Sequence, residues 1–367
     1  MAAISEPDAS GIIKVSGAGR IQRKDLPIFS RLMAAMLDAG MPIVQVLDAL
    51  ESETADPTFR TVLGGIKTRI ESGESISQAM AHYPQIFDSM YISMMQAGEA
   101  SGQLSDICAR VGEYLEASAK LRRKVMSALM YPSMVGVIAV VLVIVMLVWL
   151  IPGFDKIYKD LGGGGAKLPL ATEILVRVSE VFRHWFLLIA GLFVGGIVAF
   201  VQFARSPGGA LKVDTWKIHA PVFGSLIRKV AIARFASTFS QLMKSGVPML
   251  RALEIVSAAV ANRRLGHALE MAKVRVERGD ALSEALSDHK DYPRMLIQML
   301  VAGERSGKVD EMMSSIAKLY EDEVDSAVSG LTSLIEPLMM VFLGVVVGGI
   351  MIAMFMPIFK LTSVLGA

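Results

Sequence analysis

No residue between Ser133 and Ile151 (SMVGVIAVVLVIVMLVWLI) carries a charge. A helix of that length crosses a bilayer, and a buried soluble helix rarely runs so far without an ionisable group. Trp185 to Ala204 and Pro337 to Phe359 are two further stretches of this kind, the first with Trp185 as an interfacial anchor. The composition agrees: 53% of residues are hydrophobic and 20% charged, too apolar for an ordinary soluble chain.

Lysines and arginines near the ends of the spans set the expected orientation. Lys120, Arg122, Arg123 and Lys124 crowd the approach to the first, and Arg205, Lys212 and Lys217 follow the second. The connection between them spreads Lys156, Lys159, Lys167, Arg177 and Arg183 over a longer stretch. The N-terminal region and the 205–330 region are therefore predicted to be cytoplasmic. The third span is preceded by Glu321, Asp322, Glu323 and Asp325 and followed by Lys360, so charge does not orient it.

An internal repeat does. QAGEASGQL (96–104) and VAGERSGKV (301–309) share A-G-E-x-S-G, and Gly303 lies 205 positions after Gly98. LDAGMPIVQVLDAL (37–50) matches MKSGVPMLRALEIV (243–256), and GESISQAM (73–80) matches GDALSEAL (279–286), at an offset of 206. A one-residue deletion near residue 87 brings the offset to 205, at which Pro132 pairs with Pro337 and Pro152 with Pro357. A period this long means domain duplication rather than a solenoid. The repeating unit is a soluble domain plus the membrane helix after it, which puts both domains on one side and makes the second span a return helix.

Within each domain the apolar spacing is helical: Leu26, Phe29, Met33, Met36 and Leu37 share one face, as do Ile232, Phe235, Phe239, Leu242 and Met243. Gly40 and Gly246 are expected in the left-handed conformation at a helix end, with Pro42 and Pro248 just inside the next helix. A second corner is expected at the shared motif. There Gly98 and Gly303 end one helix and Ser101 and Ser306 cap the next; Gly98, Glu99, Gly102, Gly303, Glu304 and Gly307 are the candidate structural or partner-contact positions. Glu99 and Glu304 are the ionisable residues both copies keep at that corner. They read either as carboxylates favoured at a helix start or as contacts to a partner.

The expected fold class is an all-α membrane protein, with two homologous cytoplasmic helical-bundle domains and three transmembrane helices. Its parts are a mobile lead (1–20) without signal-peptide character, domain 1 (21–128) and a first span (131–152). An outer loop (153–184) follows, with a flexible GGGG tip at Gly162 to Gly165, then a second span (185–204), domain 2 (205–330), a third span (334–359) and a short outer tail (360–367).

Several chemistries are excluded. Gly303 and Gly307 have three residues between them, and Val309 stands where a P-loop needs Ser or Thr, so Lys308 does not complete a nucleotide site. The five histidines are scattered and Cys108 is the sole cysteine, which leaves no metal-ligand spacing and no disulfide. A net charge of +2 gives no nucleic-acid footprint. No catalytic, cofactor or metal site is expected. Nor do the spans carry the ionisable chain of an ion path; Glu336 stands beside Pro337 at the membrane entrance, within reach of headgroup water.

Two such domains, each followed by a membrane helix and each carrying G-E-x-S-G, resemble the inner-membrane platform family of type II secretion and type IV pilus assembly (the GspF/PilC family). The resemblance covers about residues 21 to 362. KVMSALMYPSMV (Lys124 to Val135, with Tyr131 and Pro132) is similar to the family signature leading into the first membrane helix, and APVFGSLIRKVAIARF (220–235) to the lead into the second domain. The resemblance implies a non-enzymatic protein of the bacterial inner membrane. Its implied partners are a cytosolic hexameric secretion or pilus-assembly ATPase, pilins or pseudopilins, other inner-membrane assembly proteins, further copies of itself, and the bilayer. The alternatives are a subunit of a membrane transporter or channel and a membrane-bound helical scaffold. The small number of uncharged spans argues against the first.

Overall fold

The structure, a computed structural model, describes residues 12–15, 17–154, 170–221, 223–260 and 262–365. All regular elements among these are helical. The chain divides into two compact units. One comprises residues 1–124 and 214–325, the other 125–213 and 326–367.

The first unit holds both helical domains. Domain 1 contains α1 (Ala18–Asp38), α2 (Ile43–Glu53), α3 (Pro57–Glu71), α4 (Ile76–Ala81), α5 (Ser89–Ser101) and the start of α6 (Leu104–Val145). The chain returns from the second unit through α7 (Leu170–His184), α8 (Phe186–Arg205) and α9 (Pro207–His219). Domain 2 is then α10 (Phe223–Lys244), α11 (Met249–Ala259), α12 (Arg263–Glu277), α13 (Leu282–Ser287), α14 (Arg294–Ser306) and the start of α15 (Val309–Leu365). The four middle helices of each domain have equal lengths in order: 11, 15, 6 and 13 residues.

Matching glycines turn the chain in both domains. Gly40 and Gly246 have φ of 80° and 79°, Gly73 and Gly279 of 99° and 101°, Gly102 and Gly307 of 69° and 71°. Only glycine takes this conformation without strain, so these positions fix where helices stop. Pro42 and Pro248 sit at the N-cap, one position before the expected first turn, because α2 and α11 begin at Ile43 and Met249.

The core follows the apolar faces. Phe29 meets Phe59 and Phe87 edge-on at 5.4 and 6.3 Å, and in domain 2 Phe235 meets Tyr292 at 5.8 Å. Each such side chain contributes about 1.5–3 kcal/mol by leaving water. Tyr91 shares a hydrogen bond with Ser30 at 3.0 Å and Tyr292 donates to the Leu265 carbonyl at 3.0 Å. Burial pushes both phenols above the ordinary range, which keeps them neutral.

Several expected boundaries differ. Residues 12–15 of the lead are anchored: Ile13 and Val15 are buried, the Ile13 amide donates to His82 O at 2.9 Å and the Val15 amide to Gln85 Oε1. The expected passages from domain to span, at 128–131 and 330–334, lie within the unbroken helices α6 and α15. No glycine corner intervenes there, and the N–H that an interior proline lacks, at Pro132 and Pro337, does not stop a helix. The 360–367 tail is helical as far as Leu365. Residues 170–184 of the expected outer loop form α7, while the GGGG tip lies outside the described residues.

In the second unit α6 continues through a π-helical turn, Met146–Leu150, to Phe154. Ser179 of α7 donates its hydroxyl to the Leu147 carbonyl and Thr172 to that of Ala353. Ile151, Ile350 and Met354 form a small core there, with Leu175 and Val176 packed against it. Two helices, Leu104–Phe154 and Val309–Met356, are long and apolar enough to cross a membrane. The helix α8, Phe186–Arg205, carries no charge from Phe186 to Ala204.

The third glycine of each domain makes a testable distinction. Gly307 has open space where a Cβ would stand, so only its φ demands glycine; a Cβ on Gly303 would lie 2.8 Å from Val309 Cα. Gly307→Asn should cost a few tenths of a kcal/mol, because Asn tolerates the left-handed region. Gly303→Ala should cost about 1–3 kcal/mol through forced helix separation. Thermal unfolding of the detergent-solubilised chain checks the order.

Candidate functional site

The shared A-G-E-x-S-G segment is the C-terminal turn of α5 and of α14. Gly102 and Gly307, rather than Gly98 and Gly303, are the left-handed residues that end these helices. The Gln103 and Lys308 amides reach back to the carbonyls of Gly98 and Gly303, at 3.0 and 2.9 Å, and close the turn. Gly98 and Gly303 serve close approach instead. A Cβ on Gly98 would stand 3.0 Å from Ile107, and the Gly303 position faces Val309, so the next helix crosses against bare backbone. Ser101 and Ser306 do not cap that helix; their hydroxyls donate to Ala97 and Ala302, at 2.8 Å.

Glu99 and Glu304 turn away from the helix that follows them. Glu99 accepts from the Ser77 amide at 3.2 Å and from its hydroxyl, and Glu304 accepts from the Ser283 amide at 3.1 Å and its hydroxyl. Ser77 and Ser283 are the second residues of α4 and α13. Each glutamate is therefore a remote cap that satisfies an orphan donor at a helix start and sits against its positive end. The copies differ in what else is there. Ser75 and Gln78 form a capping box on α4, whereas Ala281 leaves α13 without a side-chain cap of its own. Lys308 pairs with Glu311 at 3.2 Å, and among the described residues no three His, Cys, Asp or Glu side chains gather as for a metal.

Contacts between the two domains have no motif behind them. Arg110 donates to the Lys244 carbonyl at 3.0 Å, at the C-terminus of α10, and Tyr114 shares a hydrogen bond with Thr238 at 2.8 Å. These partners are 134 and 124 positions apart, beyond the reach of local pattern. Lys124 forms an ion pair with Asp325. Further along the helices, Tyr131, Pro132 and Val135 of α6 line one groove with Thr332, Glu336 and Met339 of α15. Of the residues singled out at the membrane entrance, Tyr131, Pro132 and Glu336 come together there, while Lys124 and Pro337 are not part of the groove wall.

Because Ala281 cannot cap, Glu304→Ala should destabilise the chain by about 1–2 kcal/mol and Glu99→Ala by less. Ala281→Ser, which recreates the box with Glu284, should raise the melting temperature in the Glu304→Ala background. Melting curves followed by circular dichroism check this. Normal stability with lost partner binding would instead mark these glutamates as contact residues.

The model of the type II secretion system protein F family matches the chain twice, over residues 29–152 and 235–357. The chain is 38% identical over 353 residues to the type IV pilus assembly protein PilC of Myxococcus xanthus, covering 96% of this chain and 84% of that protein. It is 40% identical over 343 residues to the PilC of Thermus thermophilus, covering 93% and 84%. The type II secretion system protein F of Pseudomonas aeruginosa is 28% identical over 353 residues, covering 96% and 86%. Each match takes in a glycine-turned helical domain and the long apolar helix that grows out of it: the chain belongs to the type II secretion system protein F family, with the PilC proteins of type IV pilus assembly among its relatives.

Proposed function

We propose that this chain is the inner-membrane platform of a type IV pilus or type II secretion machine. In this reading it couples a cytosolic assembly ATPase to the insertion of pilin or pseudopilin subunits into a filament. The observation that carries it is the double family match, each half running from a helical domain into a long apolar helix. Equal helix lengths and paired positive-φ glycines support a domain duplication. With both copies in the cytosol, α8 is a third, returning span, and residues 153–184 lie on the outer face. The family is one of platform proteins rather than enzymes, so mechanical work has to come from a partner that hydrolyses nucleotide. The PilC relatives are the more identical of those compared, which favours a pilus over a pseudopilus.

The detergent-solubilised chain should co-purify with the hexameric ATPase of its own cell, and should neither bind nor hydrolyse ATP alone. ATP hydrolysis by the purified chain would overturn the platform reading.

Topology is tested separately. In a Cys108→Ala background, Gly163→Cys should react with a membrane-impermeant maleimide on intact spheroplasts, while Glu74→Cys and Asp280→Cys should react only after lysis. Labelling of the Asp280 position from outside, without the Glu74 position, would make the halves an inverted repeat as in transporters.

A further inference from the structure

The two domains meet through unlike faces. Domain 1 offers α6, with Arg110 and Tyr114; domain 2 offers α10, with Thr238 and the Lys244 carbonyl. Such a contact is heterologous, and it leaves one face of each kind unused. By the repeat offsets, the unused counterpart of Thr238 is Leu32 on α1, and that of Tyr114 is Leu319 on α15. Thr238 is fully buried, whereas Leu32 is 42% and Leu319 39% exposed. Ile28, one turn before Leu32, is 56% exposed, while its counterpart Arg234 is half-buried. Arg110 is likewise half-buried and its counterpart Ser315 exposed.

The substitution pattern is complementary. Where the internal contact has a polar pair, Tyr114 with Thr238, the two open faces carry Leu319 and Leu32. An apolar residue on each side is what a matched apolar pair requires, since each side chain leaves water only when the other covers it.

We propose that α15 of one copy, through Leu319, docks on α1 of a second copy, through Leu32 and Ile28, repeating between chains the contact that joins the two domains within one. The occupant is another copy of this chain, because the same chain supplies both halves of the matched pair. The contact is head-to-tail, so it builds a ring if its rotation closes. It rests on the duplication reading above, which the topology labelling tests on its own.

The experiment uses the full chain in membranes, with differently tagged copies co-expressed in a Cys108→Ala background. Oxidation should join a Leu32→Cys copy to a Leu319→Cys copy. Neither variant should cross-link to itself, and the Leu32→Cys/Leu319→Cys double variant should give a ladder of dimers and larger species. Tyr114→Cys/Thr238→Cys, the internal counterpart, should close within one chain and so confirms fold and oxidation in the same preparation. Leu32→Glu in the Leu319→Cys partner assay, probed at Ile28→Cys, should abolish the cross-link, and Leu319→Lys on the other copy, probed at Ser315→Cys, should restore it. Overturning results are self-cross-linking by either single variant, which marks a symmetric face. So is the absence of mixed cross-links while the internal pair closes, or a cross-link indifferent to Leu32→Glu.

Discussion

The crossing of each long helix over the end of the helix before it is the contact on which the domain depends. At Gly98 and Gly303 there is no room for a methyl group, since Ile107 and Val309 occupy that space. The same turn ends in a left-handed glycine and sends its glutamate to cap a short helix elsewhere in the domain. Three demands meet in six residues: close approach, a positive φ, and an acceptor for an orphan amide. Each demand selects a different residue type, and together they account for a motif of G-E-x-S-G form without any chemistry on a substrate. A small buried element such as α4 or α13 cannot hold its first turn by propensity alone, so the acceptor arrives from a neighbouring helix.

Much of the fold was legible. Uncharged stretches, helical periodicity and glycine-proline corners are local signals, and they placed the helices, two long apolar helices and the turns at Gly40 and Gly246. The errors at the second corner have a local cause as well. Gly98 and Gly102 are both glycines in one turn, and sequence does not say which is needed for φ and which for close approach; only the position of Ile107 separates them. That α6 and α15 run unbroken past Pro132 and Pro337 was not legible, because proline is a weaker punctuator in a long apolar helix than in a soluble one. The helix over 170–184 was missed because its charges, such as the Glu173–Arg177 pair, suited a polar loop equally well.

The site was less legible, for a reason that is general. Glu99 and Glu304 stood out by their place in a repeat, and Ser77 and Ser283 lie in matched segments too, but nothing in the sequence joins these serines to glutamates more than twenty positions away. Arg110, Tyr114 and Thr238 are further still from any motif. What a repeat marks is a position on which two copies make the same demand; it does not name the group that answers it.

The differences between the copies carry as much information as the likenesses. Ser75 has become Ala281 and the N-cap Asp88 has become Pro293, so domain 2 starts two of its helices with less side-chain capping than domain 1. Each lost cap costs about 0.5–2 kcal/mol when nothing replaces it. At α13 the glutamate remains to replace part of it, and at α14 proline restricts the unfolded chain and fits the extended conformation an N-cap adopts. Two domains with the same order of helices are free to solve one local problem in two ways as long as the crossing contact survives. Both copies keep the crossing glycine, the turning glycine and the glutamate.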